Sequence, residues 1–217
     1  MAYSLVMGNK PTSSWSLRPW IAMRATGIPF EEIPIDLRDP QAKQHILRHS
    51  PAGKVPALKV DGQVIWDSLA IIEFLAETHP EAKLWPADKT ARARARAVSA
   101  EMHSGFQTLR QECPMDFLRR HPRSELSEAC AADVKRIIAL WSDCRKTFGA
   151  GGPYLFGAFS AADAMYAPVV SRFVTYLPDL SKYGDTGAVR AYVDAVWASD
   201  AMRQWEAEAT QQVRKPA

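Results

Sequence analysis

Short apolar runs broken by turn residues fill roughly the first eighty positions, and longer stretches of helical composition fill the rest. Tyr3 to Met7 is a brief apolar run ending at Gly8, the length of a buried strand. Ser13 to Ser16 supply polar starts before Leu17, Trp20, Ile21 and Met23. Pro19 is expected in the first turn of that helix, and Gly27 with Pro29 ends it. Phe30 to Ile35 alternates enough for a second strand, and Gln41 to His49 reads as a short, weak helix. Val55 to Val60 and Gln63 to Trp66 flank Asp61-Gly62, a strong hairpin signal. Asp67-Ser68 then opens a helix to Thr78 with Ile71, Ile72, Phe74 and Leu75 as its apolar positions. The order β-α-β-α-β-β-α requires a parallel crossover first and an antiparallel hairpin last.

Pro80 to Pro86 reads as a linker, after which strand signals nearly vanish. Asp88 to Leu118, Leu126 to Phe148, Ala161 to Tyr176 and Ala188 to Ala209 carry helical composition between proline- or glycine-bearing breaks. The expected division is an α/β domain at 1–80, a linker at 81–87 and an all-helical domain at 88–217. Arg92, Arg94 and Arg96 alternate with alanines. Arg92 and Arg96 stand one turn apart, which suits a solvated helix face, with a dimer contact as the competing reading.

Composition narrows the function classes. A net charge of +3 is too weak to imply a nucleic-acid partner. No window approaches the roughly 18 consecutive apolar residues of a membrane span. Met1 to Met7 lacks the basic and apolar regions of a signal peptide. Cys113, Cys130 and Cys144 form no CxxC pair, which fits a reducing cytoplasm. No HExxH pattern is present, and no metal is expected.

Three segments hold candidate chemistry. In Thr12-Ser13-Ser14-Trp15-Ser16-Leu17-Arg18, Ser14 and Ser16 suit helix caps. The alternative is a hydroxyl that donates to an anionic sulfur; no GxSxG elbow supports a serine nucleophile. In Lys54-Val55-Pro56 the proline suits the start of an edge strand. A cis bond there would instead turn the Val55 backbone outward to pair with a bound peptide. Asp67-Ser68 suits an N-cap, and a helix N-terminus also binds carboxylates. Ser68 would take a carboxylate and Asp67 an ammonium.

Together, Ser13 to Arg18, Gly53 to Leu58 and Asp67 to Leu75 resemble the cytosolic glutathione transferase family, of the bacterial zeta/tau-like serine type. Ser160-Ala161-Ala162-Asp163 resembles that family's N-capping box. The resemblance covers nearly the whole chain. It implies a thioredoxin-like α/β N-terminal domain, an all-α C-terminal domain and a cis Val55–Pro56 bond. It implies that Ser13 donates to the glutathione thiolate and that the Val55 backbone pairs with the cysteinyl residue. Asp67 and Ser68 would hold the γ-glutamyl group, and Lys54, with Gln41 second, the glycyl carboxylate. Trp15, His103, Phe106 and Arg110 are candidates for the second-substrate pocket, the last three at helical spacing; core packing is the competing reading for Phe106.

The implied activity is conjugation of glutathione, a co-substrate and the only small-molecule partner besides a small electrophile. Alternatives are a glutathione-dependent isomerase or peroxidase on the same site, or a binding protein without turnover. A cytoplasmic homodimer is expected, paired through the third helix and the Arg92–Arg96 region. One departure weighs against zeta-type isomerisation: Trp15 stands where that class often has cysteine. The lack of cysteine in the turn also argues against thiol exchange.

Overall fold

The computed structural model describes residues 1–214, so the last three residues of the expected helical domain lie outside the described residues. Four strands, β1 (Tyr3–Met7), β2 (Glu31–Pro34), β3 (Ala57–Val60) and β4 (Gln63–Ile65), form one sheet in the order β2-β1-β3-β4. β1 pairs parallel with β2, and β1–β3 and β3–β4 are antiparallel. The parallel pair is joined by α1 (Ser14–Thr26), which ends where Gly27 takes a left-handed φ of 72°. Asp61 (φ 45°) and Gly62 (φ 80°) make the hairpin turn, where positive φ at both central positions matches the twist of the strands.

The sheet is covered on both faces. Leu5, Met7 and Leu58 meet Leu17, Trp20 and Ile21 of α1 and Ile71, Ile72 and Leu75 of α3 (Ser68–Thr78). Val6 and Ala57 on the opposite face meet Ala42 and Ile46 of α2 (Ala42–Leu47). That accounts for the apolar run Leu5 to Met7 in β1, which is buried on both sides. α1 starts at Ser14, so Pro19 lies in its interior rather than its first turn and supplies no N–H to the carbonyl of Trp15.

The remainder is helical: α4 (Lys89–Ser104), α5 (Gln107–Glu112), α6 (Glu128–Phe148), α7 (Ala161–Tyr176), α8 (Ala188–Trp197) and α9 (Asp200–Arg214). Among the described residues, pairing past residue 90 is limited to isolated bridges near Tyr154 and Phe156. Buried α7 packs against α1, α4 and α8 and so joins the two parts of the chain. Its start is the expected box, in which Asp163 Oδ2 accepts from the Ser160 N–H and Oγ, each at 2.8 Å. Burial raises the Asp163 carboxyl to about 6.

Two expected helices are each divided. Asp88 to Leu118 breaks at Gly105 and Phe106, the latter left-handed at φ 60°, and loses helix after Glu112. Ala188 to Ala209 breaks at Ser199, whose Oγ accepts from Met202 N at 3.4 Å and caps α9.

Candidate active site

The turn between β1 and α1 is fixed from outside. The Asn9 amide donates to Asp36 (2.9 Å) and accepts from Leu37 N (2.7 Å), while its carbonyl accepts from Ser13 N (2.8 Å). α9 binds all three polar groups of Lys10. Gln212 accepts from its N–H (2.8 Å), Trp205 donates to its carbonyl (3.0 Å), and Glu208 pairs with Nζ (2.5 Å). Glu32 takes the same ammonium at 2.5 Å. The carbonyl of Pro11 accepts from Phe117 N at 3.0 Å.

On this turn Ser13 sits in the N-cap position of α1 but makes no capping bond. Its Oγ donates to Ser16 Oγ at 2.8 Å, and Ser16 Oγ also accepts from Gly8 N at 3.0 Å. The cap reading of Ser16 is therefore wrong: it lies inside α1 and ties the helix to the end of β1. Ser14 is the first residue of the helix.

Ser13 and Ser14 line a cleft of about 580 Å³ together with Lys54, Val55, Asp67 and Ser68. The Val55–Pro56 bond is cis, as expected; so is Trp66–Asp67, which no sequence signal marked. Asp67 caps α3 by accepting from Leu69 N (2.9 Å) and Ala70 N (3.4 Å), and its other oxygen lies 3.0 Å from His103 Nε2. Ser68 Oγ accepts from Arg18 Nη1 at 3.4 Å. Gln41 is exposed just before α2 and does not line this cleft.

Trp15 stands between this cleft and a second one of about 760 Å³. The Arg18 and Arg110 guanidiniums lie 4.1 and 5.0 Å from its ring centre, and His103 meets it edge-on at 5.4 Å. Arg110, Met115 and Arg172 line the second cleft, with Gln212 and Val213 from α9. Arg172, buried within α7, donates Nε to the Cys113 carbonyl (2.8 Å) and Nη1 to that of Pro168 (3.0 Å). Burial, then neighbouring Arg110, lowers Arg172 to about 10; burial also lowers Arg110.

Three expected pocket residues do not share a helical face. His103 is on α4, Phe106 is at the break, and Arg110 is on α5 with Nε on the Gly105 carbonyl at 3.0 Å. Phe106 packs into the core and lines neither cleft, because its left-handed backbone points it away from the helix line. Sequence reasoning missed Arg172, although it is the one basic residue of α7. It also passed over His45 and His49, four residues apart; among the described residues no three His, Cys, Asp or Glu groups cluster for a metal.

Comparison with known proteins places this geometry. Residues 12–78 match the glutathione S-transferase N-terminal domain, and residues 124–195 match the glutathione S-transferase C-terminal domain. Maleylacetoacetate isomerase of Rattus norvegicus is 34% identical over 178 residues, covering 80% of this chain and 79% of that one. A probable maleylacetoacetate isomerase of Caenorhabditis elegans is 45% identical over 100 residues, 46% of each chain. Among solved structures, the holo form of maleyl pyruvate isomerase, a bacterial zeta-class glutathione S-transferase, gives a TM-score of 0.72 at 26% identity. That match covers 96% of this chain and 98% of the other.

Proposed function

The chain belongs to the glutathione S-transferase family, and from that premise we propose that it is a glutathione-dependent cis–trans isomerase of a small, anionic, conjugated acid of the maleyl type. The observation that carries this reading is the pair Arg110 and Arg172 in the wall of the cleft beside the serine turn. Two partly or fully desolvated guanidiniums suit carboxylate ends of a substrate better than a neutral aromatic electrophile. The relatives named as isomerases support the same choice over conjugation as the main activity.

Glutathione fits the first cleft with its γ-glutamyl group on Asp67 and Ser68, its cysteinyl residue along Val55 and its glycyl carboxylate toward Lys54. Ser13 Oγ turns from Ser16 to the sulfur; Ser16 keeps the Gly8 N–H. Lowering a thiol from about 8.5 to about 6.5 requires roughly 2.7 kcal/mol of preference for the anion. One hydrogen bond to a charged group contributes about 1.5–3 kcal/mol, and the N-terminus of α1 adds roughly 0.3–2. The sum is sufficient without a metal.

The thiolate then adds to the conjugated C=C, forming a C–S bond while the π pair moves to the carbonyl oxygen as an enolate. The former double bond rotates, the pair returns, the C–S bond breaks, and the thiolate is regenerated. Arg110 and Arg172 hold the carboxylate and screen the enolate. Every reacting sulfur orbital belongs to glutathione, so Trp15 in place of cysteine removes no reacting atom. Cys113, Cys130 and Cys144 are buried, and burial raises each thiol, the last two to about 12; none suits a protein nucleophile.

Steady-state rates test the reading. Maleylpyruvate should isomerise only with glutathione present, and its methyl ester should react far more slowly. Arg172→Met should raise KM for the acid roughly tenfold or more while leaving KM for glutathione near its original value. Turnover of a neutral aryl halide at higher kcat/KM than the acid would assign the chain to conjugation instead.

A further inference from the structure

Arg18 is fully buried in α1 with its guanidinium over the Trp15 ring at 4.1 Å, yet its charge has no carboxylate partner. Among the described residues it forms no ion pair within 4.0 Å, and its Nε and Nη2 atoms make no hydrogen bond. Its single polar contact is the 3.4 Å bond from Nη1 to Ser68 Oγ. Asp67, the carboxylate whose charge acts on Arg18, is already engaged by His103 and by the N–H groups of Leu69 and Ala70. Burial, then Arg110 and Arg172, holds the Arg18 guanidinium well below its ordinary range. A buried cation beneath a helix N-terminus makes the start of α3 strongly attractive to an anion.

We propose that Arg18 is a positioning residue that orients the Ser68 hydroxyl and thereby selects a carboxylate at the start of α3. A serine oxygen carries one proton and two lone pairs. Because Ser68 Oγ accepts from Arg18, its own proton is free to point into the cleft that Ser68 lines. The hydroxyl is then a donor suited to a carboxylate, and the positive field behind it disfavours an ammonium. Asp67, one residue earlier and partly exposed, keeps the opposite preference. The order of the two ends of an amino acid in the cleft is thus set from behind by a residue fifty positions away in sequence. The proposal rests on the glutathione reading of the Asp67–Ser68 pair.

Three peptides test it: glutathione, 4-aminobutanoyl-Cys-Gly, which lacks the α-carboxylate, and glutaryl-Cys-Gly, which lacks the α-amine. Binding is followed by the fluorescence of the full-length protein, since Trp15 and Trp66 line the cleft. The wild type should bind the 4-aminobutanoyl peptide roughly 10- to 150-fold more weakly than glutathione. In Arg18→Met that ratio should collapse toward one through weaker glutathione binding, while the glutaryl peptide, which keeps the carboxylate, should weaken in step with glutathione. Equal weakening of all three peptides would assign Arg18 a purely structural role and overturn the proposal. Equal binding of glutathione and the 4-aminobutanoyl peptide by the wild type would instead remove the glutathione reading of this subsite. If Arg18→Met does not fold, the Arg18 Nε resonance of 15N-arginine-labelled wild type decides. It should move with glutathione and stay with the 4-aminobutanoyl peptide; no difference between the two overturns the proposal.

Discussion

Ser13 has two competing demands on its hydroxyl, the Ser16 oxygen 2.8 Å away and the sulfur it is proposed to hold. If it donates to the thiolate, Ser13→Ala should raise the bound thiol by roughly one to two pH units. The loss in stability should be small, since Ser13 makes no capping bond. Thiolate absorbance against pH for glutathione bound to each variant measures this, with Ser14→Ala as the control. A shift in Ser14→Ala alone would move the role by one residue. The family resemblance singled out Ser13 in the sequence, but its bond to Ser16 was not legible there, because serines before a helix ordinarily cap it. Arg18 and Arg172 were still less legible. Burial of Arg18 depends on Ser68 and Trp15 meeting around it, and only the folded chain brings Ser68 there.

Among the elements, those read best from sequence had local turn chemistry to mark them. Asp61-Gly62 set the hairpin and Gly27 ended α1, each through a positive φ. The break after α4 had no such mark, since Phe106 at φ 60° is held by its neighbours and not by its own preference. The α8–α9 break did carry a signal, Ser199 ahead of Asp200, hidden inside a continuous run of helix formers. At the start of α7, Asp163 gives a pH dependence that can be measured. Its carboxyl is raised from 3.8 to about 6 in the fold, so the fold binds the proton more tightly than the unfolded chain. The associated stability is complete below pH 3.8 and is lost as pH rises through about 6, a change of roughly 3 kcal/mol. Asp163→Asn lacks this titration. The difference in unfolding free energy between wild type and variant should therefore shrink by about that amount from pH 3.5 to 6.5 in urea titrations. A pH-independent difference would mean that the fold binds the Asp163 proton no more tightly than the unfolded chain does.

At the scale of the whole molecule, the serine turn is held by parts of the chain far apart in sequence, with α9 binding Lys10 and the Phe117 segment binding Pro11. The same α9 lines the second cleft through Gln212 and Val213, so one element both walls that cleft and steadies the serine turn. Among the described residues no helix is long and apolar enough to cross a membrane. We expect a homodimer paired through α3 and the arginine face of α4. Within the chain Arg96 already meets Glu73 of α3 at 3.2 Å, leaving a mixed-charge surface for a partner. Sedimentation at micromolar concentration should give twice the chain mass, and a single-chain mass would remove that expectation.

If the glutathione thiolate is a recycled nucleophile, glutathione is not consumed, and counting it decides the matter. The protein is mixed with maleylpyruvate in large excess over glutathione, and both isomers and free thiol are followed in one sample. Many molecules of trans acid should form per glutathione, with the thiol fully recovered at the end. One glutathione consumed per acid, with the sulfur retained in the product, would contradict it.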